Sequence, residues 1–301
     1  MLNQKSHDFA GVGESVEEDF KLVQAEIPFR NTPVWFSNQP LVLKSSADII
    51  NLATGVSPLG ILPPCKIIHS EDERKSILER LLDVPPQKYV STNGEQSVKY
   101  WGQPFVDSAT VTKHLTSEIN TLVKSLSEPL VKRVENWLHE NGFNVTRIID
   151  PLTGFTYPVG VFRAINVVNN SSVLHLDDFV RDGLMKPDFT LPYLLEGKLF
   201  YQVSFNILLD DGGYEPDSLY TYNKFHLPSH EKFVLGNGWQ FPLSLVGDCN
   251  FLKHTPKVGE GYMFSTSCYH DVKGGSPKSN RITFSCFGIY LPELNLFMLY
   301  N

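Results

Sequence analysis

The stretch Ser171-Ser-Val-Leu-His-Leu-Asp177 places a histidine and an aspartate two positions apart in the second half of the chain. Successive side chains of a β-strand point to opposite faces, so His175 and Asp177 are expected to share one face. The apolar, β-branched segment Val161-Phe-Arg-Ala-Ile-Asn-Val-Val168 precedes them and is predicted to be that strand. His270 lies far along the chain, and a sandwich of strands could bring it beside the first two residues.

Two histidines and one carboxylate can hold a metal ion from one side and leave three coordination positions open, the arrangement of non-haem Fe(II) oxygenases. We therefore predict that His175, Asp177 and His270 bind Fe(II) and are the catalytic centre. Arg281 follows His270 by eleven residues, and its guanidinium could bind a co-substrate carboxylate through two parallel hydrogen bonds. Thr283 should lie on the same strand face as Arg281 and could add a hydroxyl donor.

A second copy of the pattern occurs at His69-Ser-Glu71, with Arg80 eleven residues after the histidine. There, Ser70 and Glu73 predict a capping box at the start of a helix over residues 71–83. His69 and Glu71 would then straddle a helix N-terminus, and no further histidine precedes Arg80. This copy is predicted not to bind a metal.

The order H-x-D, histidine, arginine resembles the 2-oxoglutarate/Fe(II)-dependent oxygenase superfamily over roughly residues 150–292. The resemblance implies an α+β fold, with a double-stranded β-helix (jelly-roll, cupin-like) core braced by N-terminal helices. It also implies Fe(II), 2-oxoglutarate as co-substrate, and O2. Arg281 and Thr283 would bind the distal carboxylate of 2-oxoglutarate.

Within that superfamily, the motifs Gly154-Phe-Thr-Tyr157, His175-Leu-Asp-Asp-Phe179 and Asp210-Asp-Gly-Gly213 look like those of hapalindole/welwitindolinone-type halogenases. Those enzymes carry glycine where Asp177 stands, which leaves room for chloride on iron. With a carboxylate at that position, the resemblance implies hydroxylation, desaturation or ring closure of a small molecule, and no halogenation. The resemblance alone does not name the substrate.

Several further residues have two readings. Gln202 and Asn206 lie in a polar stripe on a strand predicted over residues 198–209; they could contact the inner carboxylate of 2-oxoglutarate or face solvent. Arg163 could be the counter-ion of an acidic substrate, although a surface ion pair is favoured. Cys268 could be a soft ligand beside His270, although a small buried filler is favoured. Aromatic candidates for a substrate pocket, which could equally be core residues, are Tyr157, Phe179, Tyr222 and Trp239.

The N-terminal half is organised differently. Residues 1–145 are predicted to form a mostly helical support region and residues 146–301 the jelly-roll catalytic core, together one continuous globular unit. Apolar residues from Val111 to Leu138 recur at helical spacing, and Pro129 inside this run predicts a kink or break. Asn141-Gly142 is typical of a helix end.

Composition limits the functional classes. The chain has 301 residues, 42% of them hydrophobic, and a net charge of −7, which disfavours a nucleic-acid partner. No apolar run approaches eighteen residues, so no membrane segment is expected. Four cysteines without C-x-x-C spacing predict free thiols in a reducing, cytoplasmic setting. Either a monomer or a homodimer is compatible with these features.

The sequence therefore predicts a dioxygenase that acts on a natural-product-like or amino-acid-like small molecule. Two alternatives stay open at this point. One is an oxygenase that hydroxylates a protein or peptide side chain, and the other is a non-catalytic cupin-like binding module.

Overall fold

The computed structural model describes residues 39–90, 96–102, 118–149, 154, 156–157, 159–167, 174–177, 195, 198–212, 218–235, 240–273 and 281–300. Three α-helices lie within these ranges: α1 (Ser46–Ala53), α2 (Glu71–Leu82) and α3 (Glu118–Glu140). Short 3-10 helices cover Pro228–Phe233, Leu243–Val246 and Pro292–Leu294. The described part of the chain contains no helix that is both long and apolar enough to span a membrane.

The strands in chain order are β1 (Leu41–Val42), β2 (Leu59–Ile61), β3 (Gln87–Val90), β4 (Gln96–Trp101), β5 (Asn144–Arg147), β6 (Val161–Val167), β7 (Leu174–His175), β8 (Tyr201–Asp210), β9 (Ser218–Phe225), β10 (Gln240–Phe241), β11 (Phe251–His254), β12 (Gly261–Ser265), β13 (Cys268–Lys273), β14 (Arg281–Leu291) and β15 (Leu296–Tyr300). A ten-stranded sheet runs β1-β2-β12-β8-β14-β6-β4-β3, with β15 joining β14 to β5. A five-stranded sheet runs β10-β7-β13-β9-β11. Apart from the parallel pairs β1/β2 and β5/β15, the described pairings are antiparallel, so the protein is a mixed α/β structure dominated by antiparallel sheets.

The main hydrophobic core lies between the helices and one face of the large sheet. Along α3, buried side chains recur three or four residues apart, at Val123, Leu126, Leu130, Val134 and Leu138. Trp137 of α3 packs edge-on against Phe205 of β8, with ring centroids 6.3 Å apart. This face of β14 carries Phe284 and Cys286. Since side chains alternate along a strand, Thr283 and Ser285 point to the opposite face, away from the helices.

Several predicted elements agree with the structure. The strand expected over residues 198–209 is Tyr201–Asp210, and the helix expected over 71–83 is Glu71–Leu82. Gly142 ends α3 with φ +85°, and the amide of Phe143 donates to the carbonyl of Leu138. A helix end of this type was predicted from Asn141-Gly142.

Two predictions about local structure are wrong. The segment from Val161 does not continue to His175: β6 belongs to the ten-stranded sheet, whereas β7 belongs to the five-stranded sheet. Helix α3 runs through Pro129 as a single helix from Glu118 to Glu140, so the predicted break does not occur, and the alternative of a kink stays a prediction. The buried face that α3 packs on the sheet stabilises the helix on both sides of the proline, which outweighs the missing amide donor.

The N-terminal region does more than brace the sheet with helices. Strands β1 to β4, all from its residues, form part of the ten-stranded sheet, and β4 pairs directly with β6 across residues Gln96–Trp101. The boundary at residues 145 and 146 stays a prediction.

Candidate metal centre

His175 and His270 lie opposite one another on neighbouring strands. In the antiparallel pairing of β7 with β13 they are direct partners, and their ring centroids are 4.2 Å apart. Leu174 and Leu176 point to the other side of β7, into a small core with Tyr269. The apolar residues on either side of His175 thus turn the histidine toward the space between the sheets.

Asp177 joins the two histidines although the regular strand ends at His175. One ligand atom from each of the three residues lies within 4.8 Å of the others. The Oδ2 atom of Asp177 is 3.4 Å from Nε2 of His270. Ligand atoms about 2.1 Å from a shared ion lie roughly 3–4 Å apart, so this separation fits a common metal ligand set.

The protonation of His270 is set by its own strand. Its Nδ1 atom lies 3.1 Å from the carbonyl oxygen of Cys268, which can only accept, so Nδ1 is the donor. The strand is irregular between Cys268 and His270 where it pairs with β9. A neutral ring then has its lone pair on Nε2, facing the carboxylate of Asp177. Two acceptors this close require a cation between them, or a proton on Nε2.

The electrostatic environment keeps Asp177 ionised. Burial alone raises the pKa of this carboxyl, but a His270 ring that is also protonated on Nε2 outweighs burial through its hydrogen bond and charge, with further contributions from the charges of His175 and Arg163. The net result is a pKa well below the usual range for aspartate. A permanent carboxylate beside two imidazoles is the chemistry that an Fe(II) ligand set requires.

Arg281 opens β14 and is buried, with 4% of its surface exposed. Its Nη2 atom donates to the hydroxyl of Tyr262, 3.1 Å away. Thr283 is also buried and lies on the same face along the pairing with β6. Burial raises the pKa of Tyr262, against the opposing charge and hydrogen bond of Arg281, and the net shift is upward, so the phenol stays protonated.

Strand β12 links the arginine to the histidines. Tyr262, which contacts Arg281, and Phe264 are two positions apart and therefore share a face. The Phe264 ring packs edge-on against His270, with centroids 4.9 Å apart. One face of one strand thus contacts both His270 and Arg281, which places them on the face of the large sheet that packs on the small sheet. Sequence reasoning missed Tyr262, although the alternation in Gly261-Tyr-Met-Phe264 carried the signal.

The polar stripe on β8 faces the interior. Gln202 and Asn206 are buried, and they lie on the strand face opposite Val203 and Phe205, which belong to the helix-side core. The solvent-facing alternative is therefore wrong. The Nδ2 atom of Asn206 donates to Ser204, 2.9 Å away, and its Oδ1 accepts from Ser285 at 2.6 Å. Contact of Gln202 or Asn206 with 2-oxoglutarate stays a prediction.

Other candidates lie elsewhere. Cys268 is fully buried, and its thiol is not part of the three-residue ligand group; its carbonyl is what contacts His270. Tyr157 packs in a core with Phe287, and Tyr222 packs with Leu174 on the far side of β7. Phe179 and Trp239 lie outside the described residues.

The second copy of the motif lies at the start of helix α2, where a helix was predicted. Ser70 caps helix α2 by accepting from the amide of Glu73. The predicted capping box is only half formed, because the Glu73 carboxylate accepts from the amide of His69 instead of Ser70. His69 is exposed at this helix start and far from a second histidine ligand in the described chain.

A comparison of the sequence with protein-family models finds no match, and a comparison with curated proteins finds none. Solved structures similar to this chain include a 2OG-Fe(II) oxygenase family oxidoreductase from Burkholderia pseudomallei, with 12% identity, coverage of 83% of this chain and 95% of that chain, and a TM-score of 0.40. An N-substituted L-amino acid dioxygenase from Burkholderia ambifaria AMMD has 11% identity, 76% and 91% coverage, and a TM-score of 0.42. The non-heme alpha-ketoglutarate-dependent epimerase SnoN from nogalamycin biosynthesis has 11% identity, 81% and 85% coverage, and a TM-score of 0.41.

Identities near one residue in eight do not carry residue roles from one protein to another. The function of this chain is therefore derived from its own side chains.

Proposed function

We propose that the protein is an Fe(II)- and 2-oxoglutarate-dependent oxygenase that oxidises an unactivated C–H bond of a small molecule by hydroxylation, desaturation or oxidative cyclisation. The observation that carries this proposal is the convergence of His175, Asp177 and His270, whose ligand atoms lie within 4.8 Å of one another. Two imidazoles and one ionised carboxylate on one side of an ion leave its other positions for ligands from solution.

In this proposal the two facing sheets are the double-stranded β-helix that the resemblance implies. Strands β7 and β13 carry the histidines on the small sheet, and β14 and β12 carry Arg281 and Tyr262 on the large one. Residues from both sheets are needed to build one site.

Each residue has a defined role. His175, Asp177 and His270 hold Fe(II), which with 2-oxoglutarate and O2 supplies the oxidising power for C–H cleavage. Arg281 binds the distal carboxylate of 2-oxoglutarate, and Thr283 adds a hydroxyl donor on the same face. Tyr262 holds the guanidinium of Arg281 in place through its hydroxyl. Asn206 lies on the same buried face, opposite Ser285 of β14, and Gln202 lies farther along β8, opposite Ile289.

A small-molecule substrate is supported by the burial of the polar side chains on the neighbouring strands. The polar side chains of β8 and β14 between the sheets are almost wholly buried, with Ser204 2% and Ser285 1% exposed. Such an interior suits a ligand that can be surrounded. A folded protein substrate requires an open groove, so the peptide-hydroxylase alternative is less well supported.

The test is anaerobic loading of the full-length protein with Fe(II) and 2-oxoglutarate, followed by addition of O2 and measurement of succinate. We expect O2-dependent succinate release, stimulated by a small-molecule cell extract more than by a protein extract. A matched sample of His175→Ala should release none. Binding of Fe(II) and 2-oxoglutarate without any succinate would favour the non-catalytic binding module instead.

A further inference from the structure

Arg163 lies on strand β6 of the large sheet, next to β14. It is the direct partner of Thr283 in the antiparallel pairing of β6 with β14. Directly opposed residues in such a pair point to the same face. Arg163 therefore points with Thr283 into the space between the sheets, and the surface ion pair favoured from the sequence is not what the structure shows.

The contacts of Arg163 support this placement. Its guanidinium carbon lies 5.6 Å from the ring centroid of Phe287, which is four positions along β14 from Thr283 and on the same face. Its charge acts on Asp177 and on Tyr262, residues of the metal-ligand and Arg281 groups. The charge of Arg163 therefore acts both on the metal-ligand candidates and on the residues around Arg281.

Within the described chain, the Arg163 guanidinium has no hydrogen-bond acceptor and no carboxylate within ion-pair distance. Its Nε atom is buried and has no acceptor. Arg163 as a whole is half-buried, and burying part of a guanidinium without an anion costs free energy, because the buried atoms lose their hydration and gain no partner. By contrast Arg147, on the helix side of the large sheet, is paired with both Glu128 and Glu135.

The charged side chains of the site carry more positive than negative charge. Among described residues, Arg163 and Arg281 face a single ionised ligand, Asp177, while Glu260 is engaged by His254 at 2.6 Å. With a divalent ion bound, these groups together carry three positive charges. The two carboxylates of 2-oxoglutarate neutralise two of them, which leaves one positive charge for another anion.

We propose that Arg163 is a second carboxylate-binding residue of this site. The carboxylate that it binds is a different one from the carboxylate bound by Arg281. Two sources supply such a group: an acidic primary substrate, which the charge balance favours, or the inner carboxylate of 2-oxoglutarate. That the site belongs to an oxygenase rests on the proposed function, but carboxylate binding at Arg163 can be measured without turnover.

The experiment is isothermal titration calorimetry on the full-length protein. The variants are Arg163→Gln, Arg163→Lys, Arg281→Gln and the control Arg80→Gln, whose arginine is exposed on helix α2. One arm titrates 2-oxoglutarate into anaerobic Fe(II)-loaded protein. A second arm titrates a panel of aliphatic and aromatic monocarboxylates in the presence of saturating 2-oxoglutarate. A third repeats the panel on metal-free protein, and circular dichroism checks that each variant is folded.

We expect Arg163→Gln to weaken carboxylate binding roughly 10- to 100-fold, since each charge-assisted hydrogen bond contributes on that scale. The carboxylate affinity of Arg163→Lys should lie between those of the wild type and Arg163→Gln, because lysine keeps the positive charge and loses the two parallel donors of the guanidinium. Loss of monocarboxylate binding with 2-oxoglutarate binding intact assigns Arg163 to the substrate. Loss of 2-oxoglutarate binding in both Arg163→Gln and Arg281→Gln assigns it to the inner carboxylate.

The proposal is overturned if folded Arg163→Gln binds 2-oxoglutarate and the whole panel as the wild type does, or if the wild type binds no panel member and Arg163→Gln leaves 2-oxoglutarate affinity unchanged. Failure of the proposed function looks different. In that case the wild type takes up no Fe(II), while the metal-free arm still reports whether Arg163 binds carboxylates.

Discussion

Asp177 Oδ2 lies 3.4 Å from His270 Nε2, while Nδ1 on the far side of the same ring is committed to the carbonyl of Cys268. In the other tautomer, Nε2 could donate to the carboxylate, but Nδ1 would lose its hydrogen bond to the Cys268 carbonyl. Side chains that contact a ligand in this way orient it and tune metal affinity. The arrangement fixes which nitrogen of His270 is presented to a metal.

His175→Ala, Asp177→Ala and His270→Ala should each lower Fe(II) affinity by more than about 100-fold, since loss of a direct ligand exceeds the 10- to 100-fold effect of removing a ligand's supporting partner. The measurement is bound iron after anaerobic dialysis, with circular dichroism to show that the fold persists. Cys268→Ala is the matched control, because it removes the thiol and keeps the carbonyl that contacts His270. Normal iron binding by all three alanine variants would refute the ligand assignment.

Arg281→Gln should weaken 2-oxoglutarate binding by about 3–5 kcal/mol, the scale on which a broken buried charge pair is felt. Tyr262→Phe should cost less, about 0.5–1.5 kcal/mol, because it removes only the hydrogen bond that positions the guanidinium. Calorimetric titration of anaerobic, metal-loaded protein gives both values. A dissociation constant for 2-oxoglutarate that is unchanged in Arg281→Gln contradicts the assignment.

Asn206→Ala should lower the free energy of unfolding by about 1–3 kcal/mol, because Ser204 and Ser285 lose their buried partner. Urea unfolding followed by tryptophan fluorescence measures this change. Thr146→Ala, at an exposed position of β5, is the control and should stay within about 0.5 kcal/mol of the wild type. Equal stability of Asn206→Ala and the control would show that the amide is not part of a structural network.

The side of the chain on which a residue lies was predicted better than the ends of the strands. The i, i+2 spacing of His175 and Asp177 correctly put both on one side of the chain, because apolar Leu174 and Leu176 occupy the other side. The sequence did not show that β6 and β7 belong to different sheets, since both segments are apolar and a long strand reads the same as two short ones.

Contacts between residues far apart in the sequence could not be predicted from it, for a different reason. The partnership of Arg281 with Tyr262, and the inward direction of Arg163, depend on which strands become neighbours. Local alternation gives the face of each residue relative to its own strand and says nothing of what lies opposite. Helix α3 shows the reverse case, in which tertiary packing overrides the local signal of Pro129.

The wild-type protein should give no chlorinated product at high chloride concentration, because Asp177 occupies the coordination position that chloride would need. Mass spectrometry of the reaction product, once a substrate is found, makes the measurement. Asp177→Gly opens that position and serves as the comparison. A chlorinated product from the unmodified protein would mean that Asp177 is not a metal ligand.

Stability should fall in acid partly through Glu128. Its pKa lies below 4.5 because Arg147 donates hydrogen bonds to it, against the opposing effect of burial, with the charges of Arg147, Lys124 and Lys132 adding to the shift. A lowered pKa in the folded state gives stability that is present above about 4.5 and is lost as pH falls through the folded value.

Arg147→Gln should therefore flatten the dependence of unfolding free energy on pH between 3 and about 6, a range that brackets the ordinary glutamate pKa of about 4.3. Urea titrations at intervals across that range provide the slope. Lys66→Gln, which removes an exposed pair with Glu140, should leave the slope as in the wild type. Identical slopes for Arg147→Gln and the wild type would contradict the prediction.

The two histidines that face each other across β7 and β13 come from positions 95 residues apart in the chain. An ion held between them ties together segments that the unfolded chain leaves far apart, and it binds the native state in preference to the unfolded one. Each opening that separates β7 from β13 then requires release of the ion first. Iron supply would in this way govern how long each copy of the protein survives in the cell, as well as whether it can react.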